Sequence, residues 1–470
     1  MTALAARVTP LRDGRALFVD DAGGFFAAGS AFLDRLDEGR LSEVDFAFLR
    51  RGGHLADPGD PLGEAARRHG MARRLTVVGP LDYLILVPTL RCNLACTYCQ
   101  VSRADEGARG FDWEDATLEA VLRVVDGLAG PRVKIEFQGG EPTLRPDLLR
   151  AVMHRCERFA ERQFVVCTNL QRLDDEILAI LDRPDVFVST SLDGAAAVHG
   201  RNRTGAEAPT STFLANLRLV VSRYGPGKVS ALPTVDPADP PDVDGLIDAY
   251  VSHGLDSIFL RPINYQGFAR KRHAGSREQD DGWRAYHERF VRRLIERNWE
   301  DRGRVLEETY LSVCLRRILR PGEERHVDLR NPNPIGRDYV VIDHDGVVYP
   351  TDEARMLARS GVIDLSIGDV FDGWDGKRRE LLNLHSTNQF DPACSRCAYQ
   401  PFCGRDLVDD LSRYGTIDVP RQETAFCRRH MHAFGLAFDL LHSQDPAVRH
   451  SLARWLRLPG TPASFGAVLQ

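Results

Sequence analysis

Three cysteines, Cys92, Cys96 and Cys99, lie on one short stretch with the spacing Cys-x3-Cys-x2-Cys, and Tyr98 precedes the third. A tetrahedral zinc site or a closed iron–sulfur cluster normally takes four protein ligands. Three cysteines on one loop can hold three irons of a four-iron cluster, which leaves the fourth iron without a protein ligand. The stretch therefore predicts a metal site with one open position, provided that other residues hold a second ligand beside it.

Length and charge exclude several classes of protein. With 470 residues, 43% of them hydrophobic and 27% charged, the chain is long enough for two or three domains with ordinary cores. The net charge of −6 means that the chain has no overall excess of positive charge for binding nucleic acid. No apolar run approaches the ~18 residues that suggest a membrane-spanning helix, and no secretion signal is recognisable at the start. We expect a cytoplasmic protein that binds neither nucleic acid nor membrane.

Alternating strands and helices follow from residue 83 onward. Six β–α units in series predict a parallel sheet with right-handed crossovers, whereas eight would indicate a closed barrel. The cysteine loop follows the first strand, so it should lie at the carboxyl edge of the sheet. We expect strands at 83–88, 133–138, 164–168, 186–190, 229–233 and 257–261, and helices at 114–128, 147–161, 174–181, 212–224, 243–253 and 283–298.

The flanking segments have a different pattern. Residues 1–80 predict a hairpin at 14–28 and helices at 30–36 and 41–49, with serines as caps and a linker at 56–61. Such a module either presents a strand edge to an extended peptide or is a packing appendage of the main domain. After residue 300 we expect a helix at 306–319, a hairpin at 336–350, and terminal helices at 428–443 and 447–456.

Two further motifs follow predicted strands. Gly139-Gly140-Glu141-Pro142 follows the second strand, where glycines would let the backbone approach a ligand closely and a carboxylate would satisfy an ammonium group. Ser191, within Ser191-Leu192-Asp193-Gly194, follows the fourth strand and precedes Arg203, whose planar fork suits a carboxylate. Each has a simpler interpretation, an ordinary turn for the first and a capped turn with a solvated arginine for the second. Thr168 and Asn169 end the third strand and are weaker candidates for the same pocket.

A second cysteine set is complete by itself. Cys394, Cys397 and Cys403 have the spacing Cys-x2-Cys-x5-Cys, and Cys427 follows. Four thiolates can close a four-iron cluster or hold a structural zinc ion. The remaining cysteines, Cys156, Cys167 and Cys314, are isolated, and we expect them to be buried small hydrophobes.

These motifs together resemble the radical S-adenosylmethionine (radical SAM) enzymes that carry a SPASM extension. The resemblance implies a partial (β/α)6 TIM-like barrel with an N-terminal α+β module and a C-terminal auxiliary-cluster domain. It further implies a [4Fe-4S] cluster on the first cysteine set, with SAM bound at the open iron and contacted by Gly139, Gly140, Glu141 and Pro142. By the same resemblance, Ser191 and Arg203 hold the SAM carboxylate or ribose, and the second cysteine set holds one auxiliary [4Fe-4S] cluster.

The sequence departs from the complete SPASM pattern, which has seven cysteines and two auxiliary clusters. Leu407 and Thr351 stand at two of the cysteine positions, and Cys314 alone cannot hold a cluster. We therefore expect two clusters in all. Asp352 follows Thr351, at the place of a proposed substrate base in sulfatase-modifying relatives. It is either a base that takes a proton from the substrate or an aspartate in a turn or salt bridge.

Several phrases, among them Tyr349-Pro350-Thr351-Asp352, resemble the B-type maturase of the His-Xaa-Ser peptide-modifying system. The resemblance implies an oxidoreductase that cleaves SAM to a 5′-deoxyadenosyl radical and takes hydrogen from a residue of a ribosomally made precursor peptide, with a cross-link as the expected product. An external electron donor of flavodoxin or ferredoxin type is implied, and a second radical SAM maturase is a candidate partner. Alternatives are a sulfatase or small-molecule substrate and, outside catalysis, an iron–sulfur electron carrier. The expected domains are 1–80, 81–300, 301–430 and 431–470.

Overall fold

The computed structural model describes residues 3–459 apart from 5, 57–58, 276–279 and 325. The expected linker at 56–61 lies partly outside the described residues, and so does the end of the segment 431–470. Within the described part of the chain, no helix is both long and apolar enough to cross a membrane.

Five parallel strands lie side by side in chain order at the centre of an α/β fold. Chain order equals spatial order, so every connection crosses over the sheet and the carboxyl ends of the strands meet at one edge. The predicted strands are confirmed with ends shifted by up to three residues. Their bounds are Tyr83–Leu86, Arg132–Phe137, Glu161–Cys167, Val186–Thr190 and Val229–Ala231.

The fifth strand is shorter than expected, and the sixth is split. Thr234–Val235 pairs in parallel with Arg261–Pro262, while Ser257–Ile258 pairs in parallel with Glu307–Glu308. Pro233 lies between the fifth strand, Val229–Ala231, and the short strand Thr234–Val235. Because proline has no N–H group, it cannot continue the hydrogen bonding between strands.

A strand from the C-terminal half completes the other side of the sheet. Tyr339–Ile342 is parallel to Tyr83–Leu86 and antiparallel to Val347–Tyr349, which makes the sheet mixed. The sequence predicted this hairpin but not its pairing with the first parallel strand. All four residues of Tyr339–Ile342 are buried, and they cover an edge that would otherwise expose unpaired backbone groups. Two short strands, Gly368–Asp369 and Gly373–Trp374, extend the sheet further.

The helices follow the strands as the sequence predicted, with several changes at their ends. The helix expected at 147–161 ends early because the third strand begins at Glu161, and the helix expected at 212–224 begins at Glu207. The helices of the repeating units are Asp115–Gly127, Pro146–Arg155, Asp175–Leu181, Glu207–Tyr224, Val243–Ser252 and Asp280–Glu300. The others after residue 81 are Ala196–His199, Ala269–Arg272, Thr309–Leu319, Asp352–Arg359, Gly376–Asn383, Leu407–Tyr414, Ala425–Leu441 and Pro446–Trp455.

The N-terminal segment forms a three-stranded antiparallel sheet, Ala6–Pro10, Ala16–Asp20 and Phe25–Ala28. Its helices are Ser30–Asp37, Glu43–Arg51 and Pro61–Arg74, of which the sequence analysis missed the third. It also missed the first strand, and Ser30 lies inside its helix after Gly29 instead of capping it. Ser42 does cap the second helix, since its side chain accepts a hydrogen bond from the N–H of Asp45.

This N-terminal segment packs directly on the body of the protein. The central strand Ala16–Asp20 is buried on both faces, with Phe18 in the segment's own core and Leu17 and Val19 in the main core. Arg7 also donates a hydrogen bond of 2.8 Å to the carbonyl of Ser395, beside the second cysteine set. The N-terminal segment therefore packs against the main domain, as one interpretation of the sequence expected, and peptide binding at an edge of its sheet stays a prediction.

Candidate active site

The three thiols of the first cysteine set line one cavity of about 650 Å³, together with residues from the carboxyl ends of the parallel strands. Cys92 is buried, Cys96 and Cys99 are half-buried, and all three are free. Burial raises the pKa of Cys92 to about 12 and also raises the pKa of Cys96. Because a metal cluster binds thiolates, loading this site has to release protons. The structure thus brings the three predicted ligands to one cavity wall.

The glycine motif packs against the chain that enters the cysteine loop. The N–H of Gly140 donates to the carbonyl of Thr89 at 3.0 Å, and the N–H of Glu141 donates to the carbonyl of Arg91 at 2.8 Å. A Cβ atom on Gly140 would overlap the carbonyl oxygens of Leu90 and Arg91, and Gly139 has a φ of +131° that L-residues rarely adopt. A close approach to the chain's own backbone therefore requires glycine here, and the expected contact of the motif with a ligand stays a prediction.

Glu141 is buried in the same cavity wall and connects neighbouring segments through hydrogen bonds. Its carboxylate accepts hydrogen bonds from the N–H of Asn169 at 2.7 Å and from the N–H and hydroxyl of Thr143 at 3.1 and 2.7 Å. Burial raises the pKa of Glu141. The Asn169 amide in turn donates to the side chain of Asn93 at 2.7 Å, within the cysteine loop. The hydrogen bonds of Glu141 thus join the end of the third strand to the loop, and the expected contact of this carboxylate with an ammonium group stays a prediction.

Asp193 joins the cysteine loop to the end of the fourth strand. Its carboxylate accepts from the hydroxyl of Tyr98, from Nε of Arg203 at 3.0 Å and from the N–H of Thr234 at 3.0 Å. The Arg203 guanidinium also lies 5.2 Å from the centre of the Tyr98 ring. Asp193 is 1% exposed, so the pair is shielded from solvent. The simpler interpretation, in which Arg203 is solvated, is thus wrong. The sequence did not indicate that Asp193 would hold Tyr98 and Arg203 together.

Several residues that line the cavity have hydrogen-bonding groups without a partner. Arg203 donates to Asp193 and, at 3.3 Å, to Thr234, which leaves further N–H groups of its guanidinium without a described partner. Among the described residues, the buried atoms Thr190 Oγ1, His199 Nδ1 and Gln100 Oε1 have no hydrogen-bond partner, and all three residues line the cavity. Burial lowers the pKa of His199 to about 4, so the ring stays neutral at pH 7. A polar ligand in the cavity would satisfy the remaining N–H groups of Arg203. Ser191 and Thr168 lie in the same cavity wall.

Asp352 lies in a salt bridge, as one interpretation of the sequence expected, and its part as a substrate base stays a prediction. It begins the helix Asp352–Arg359, which Thr351 caps by accepting from the N–H of Ala354 at 3.0 Å. Its Oδ1 accepts from Nε of the fully buried Arg355 at 2.8 Å, so it is part of a salt bridge. It also lines the cavity that contains the three thiols.

Glu353, which the sequence analysis missed, lines this cavity and also a second one of about 230 Å³. Burial raises the pKa of Glu353 to about 7. Apart from its own backbone N–H, no described group is hydrogen-bonded to its carboxylate. The adjacent acids at 352–353, at the start of a helix, were the only signal in the sequence.

The second cysteine set lies beside the N-terminal segment. Its four thiols are half-buried and free, and Cys403 has its pKa raised by burial and by the other three. The buried Arg421 lies near them and donates to Asp410 at 2.5 Å. Among the described residues, no three cysteine sulfurs lie within 4.8 Å of one another. A tetrahedral zinc site needs sulfurs about 3.8 Å apart, given a zinc–sulfur bond of about 2.3 Å. The spacing is thus wider than zinc requires.

The isolated cysteines differ among themselves. Cys156 and Cys314 are fully buried, as expected. Cys167 is half-buried and lines the cavity, with its sulfur 3.4 Å from the carboxylate of Glu136, so the prediction of a buried small hydrophobe is wrong for it. The strand ending at Cys167 points this side chain toward the cavity because neighbouring residues alternate between faces. Leu407 and Thr351 are buried.

Comparison with known proteins agrees with this site. Residues 86–248, which include the first cysteine set, match the family model described as Radical SAM superfamily. A cysteine-type anaerobic sulfatase-maturating enzyme of Clostridium perfringens is 27% identical over 132 residues, which cover 26% of this chain and 36% of that protein. The mycofactocin maturase MftC of Mycobacterium ulcerans is 31% identical over 148 residues, which cover 31% of this chain and 38% of that protein. These curated relatives are thus matched over less than half of their own length.

A solved structure shares the fold over a longer stretch. Native anSMEcpe with bound AdoMet and Cp18Cys peptide superposes with a TM-score of 0.58 and 19% identity, covering 76% of this chain and 96% of that one. At this identity the likeness concerns the fold. Together with the family match over residues 86–248, it shows an α/β fold with a mixed sheet, similar to that of radical SAM proteins.

Proposed function

We propose that this chain, a radical SAM enzyme through its domain at residues 86–248, modifies a residue of a ribosomally made precursor peptide and forms a cross-link. One observation carries the proposal: three free thiols share a cavity with an aspartate, a second acid and several unpartnered polar atoms. The five parallel strands and the split sixth one would form the partial (β/α)6 barrel. The domains at 1–80, 81–300, 301–430 and 431–470 are proposed on the same basis.

The residues present fit the cofactors of this family. Cys92, Cys96 and Cys99 would hold a [4Fe-4S] cluster that retains one open iron. The free N–H groups of Arg203 and the polar wall formed by Ser191, Thr168 and Asn169 would hold SAM, beside Gly139, Gly140, Glu141 and Pro142. When bound, the cluster and SAM supply a 5′-deoxyadenosyl radical by reductive cleavage of SAM. Cys394, Cys397, Cys403 and Cys427 would hold one auxiliary [4Fe-4S] cluster.

The chain itself fixes the cavity and handles the proton. Asp193 holds Tyr98 and Arg203 in place, which fixes the loop relative to the fourth strand. Asp352, kept in position by Arg355, would accept or hold a proton of the substrate residue.

A peptide is the substrate class that the structure supports best. The cavity that contains the three thiols shares Arg261, His326 and Glu353 with the smaller cavity of about 230 Å³. A segment of a substrate peptide therefore has room to extend past the thiols. The N-terminal segment offers the outer strands of its small sheet for an added strand. The neighbour of similar fold was solved with a peptide bound.

The test is cleavage of SAM by the reconstituted enzyme with dithionite as reductant, measured as 5′-deoxyadenosine. We expect deoxyadenosine from the native chain and from a Cys156→Ala control, and none from Cys96→Ala. A native chain with full iron content that yields no deoxyadenosine would refute the proposal and leave an iron–sulfur electron carrier. The product then follows from mass spectrometry of a co-expressed peptide, with and without a second radical SAM maturase. Loss of two hydrogen atoms is expected for a cross-link.

Formylglycine formation on a sulfatase is the second candidate, favoured by the Clostridium perfringens relative. A synthetic sulfatase peptide with its cysteine separates the two. Conversion of that cysteine to an aldehyde by the reconstituted enzyme would replace the precursor-peptide proposal. A small-molecule substrate would leave both peptides unchanged while deoxyadenosine still forms.

A further inference from the structure

A second concave surface lies at the amino ends of the parallel strands and shares Tyr83, Lys134, Arg330 and Tyr339 with the cavity that contains the three thiols. This basic groove, of about 400 Å³, is lined by the end of the helix Pro61–Arg74, the end of the helix Thr309–Leu319 and the first residues of three parallel strands. Seven basic side chains line it against three acidic ones, on a chain whose net charge is −6. The basic residues are Arg73, Arg74, Arg132, Lys134, Arg317, Arg320 and Arg330.

Most of this positive charge is not neutralised. Arg73 donates to the carbonyl of Pro321 at 3.0 Å, Arg317 to that of Phe402 at 2.7 Å, and Arg320 to that of Leu456 at 2.6 Å. Arg74 likewise donates to main-chain carbonyls, and the ammonium of Lys134 lies 4.0 Å from the centre of the Tyr83 ring. Carbonyls and aromatic rings satisfy N–H groups but carry no net negative charge. None of these five side chains has a carboxylate within ion-pair distance in the described part of the chain.

Exposed apolar side chains lie within the same surface. Val77 is 82% exposed and Leu75 is 36% exposed, and both line the groove. Leu319, 40% exposed, precedes Arg320 at the rim. Exposed apolar side chains beside charged and polar ones are typical of protein–protein interfaces. A nucleic acid backbone would leave these apolar side chains uncovered, so an acidic protein is the better fit.

The groove adjoins the second cysteine set. Pro401 lines it, Arg317 binds the Phe402 carbonyl, and the Arg74 guanidinium lies 4.8 Å from the centre of the Phe402 ring. The next residue is Cys403. A protein docked in the groove therefore lies beside the cysteines proposed to hold the auxiliary cluster.

We propose that the basic groove is the docking surface for an acidic one-electron carrier protein. The inference rests on the proposed function, because each reductive cleavage of SAM consumes one electron: the carrier is oxidised by one electron and the enzyme is reduced by one. Charge complementarity speeds the encounter of such partners and makes it depend on salt. Electron-carrier complexes are small and short-lived, and a shallow groove suits them.

The experiment uses the reconstituted enzyme with flavodoxin as the probe. Arg73→Glu combined with Arg132→Glu reverses two exposed charges of the groove. Arg123→Glu combined with Arg218→Glu is the matched control, since both residues are exposed, lie on helices outside the groove and change the net charge equally. Binding of oxidised flavodoxin is measured by calorimetry at low and high salt, and deoxyadenosine formation is measured with either reduced flavodoxin or dithionite.

We expect the groove variant to lose about tenfold in flavodoxin affinity and in flavodoxin-driven rate, with no change when dithionite is the reductant. The control pair should behave as the native chain does. Equal flavodoxin affinity in the two pairs would overturn the proposal, and so would equally tight binding of a polyglutamate peptide, because the groove would then bind any polyanion. Absence of dithionite-driven cleavage would count against the proposed function alone, since calorimetry still measures docking.

Discussion

The hydroxyl of Tyr98 donates a hydrogen bond to the carboxylate of Asp193, across 95 residues of chain. Tyr98 precedes the third cysteine of the loop, and Asp193 follows the fourth parallel strand, so this bond fixes the loop against the sheet. Tyr98 is 4% exposed and Asp193 is 1% exposed, which makes the carboxylate expensive to leave unpaired.

Tyr98→Phe removes only the hydroxyl of this pair. We expect the free energy of unfolding to fall by about 1 to 3 kcal/mol, because a buried acceptor loses a donor. SAM affinity should fall as well, since Asp193 also orients Arg203. Urea unfolding and calorimetric titration with SAM measure the two effects.

Tyr224→Phe is the control for this substitution, since its hydroxyl bonds to Asp182 at the surface. It should change the free energy of unfolding by less than about 1 kcal/mol and leave SAM binding intact. Equal effects of the two substitutions would contradict a special part for Tyr98.

Gly140→Ala tests whether the glycine motif is needed for contact with the cysteine loop. The added Cβ would overlap the carbonyls of Leu90 and Arg91, so the loop has to move and the thiols lose their arrangement. We expect the variant to take up about half of the native iron on reconstitution, because the first cysteine set no longer holds its cluster. Gly127→Ala, where nothing lies within 4 Å, should keep full iron content. Full iron content in both variants would refute this explanation.

The sequence predicted those parts of the site that depend on strand ends. Cys92, Glu141, Asn169 and Ser191 each follow a parallel strand, and parallel strands bring their carboxyl ends to one edge. Their meeting in one cavity follows from the order of elements alone.

Other parts of the site depend on contacts that no local pattern encodes. Tyr98 and Asp193 meet only after the loop folds back, and Glu353 enters the cavity because the hairpin before it joins the first parallel strand. The motif suggested contact with a ligand, but it did not indicate the partners that Gly140 and Glu141 have within the protein. Sequence thus indicates which strand ends carry chemistry, while packing decides which groups remain free to use it.

Cys427→Ala tests the second cysteine set. Iron and labile sulfide of the native chain should correspond to two four-iron clusters, and the variant should lose one of them while still cleaving SAM. Cys314→Ala is the control, because this buried cysteine lacks partners for a cluster, and it should keep both. Iron for three clusters would contradict the predicted absence of an inner cluster, and zinc with iron for one cluster would favour a structural zinc site.

Asp352→Asn keeps the shape of the side chain but removes the negative charge beside the fully buried Arg355. We expect peptide modification to fall by at least about a hundredfold while SAM is still cleaved, as for loss of a proton acceptor. Asp345→Asn, which breaks a partly exposed ion pair with Arg359, should leave both intact. Undiminished product with normal SAM cleavage would eliminate a part for Asp352 in substrate chemistry.

Glu353 should make stability depend on pH. Burial raises its pKa to about 7 in the folded chain, whereas an unfolded glutamate titrates near about 4.3. An acid whose pKa rises on folding binds its proton more tightly in the folded state, so its contribution is fully present below the unfolded pKa. That contribution is lost as the pH rises through about 7, after which a constant penalty remains.

Glu353→Gln should remove this dependence. Between pH 4.5 and 8 we expect the native chain to lose on the order of 2 kcal/mol more than the variant, after allowance for solvent that reaches the side chain. Urea unfolding at several pH values measures the difference, and Glu119→Gln, at an exposed site, should follow the native curve. Parallel curves for the native chain and Glu353→Gln would mean that the carboxylate is already ionised at pH 5, and a neutral acid at the cavity wall would be ruled out.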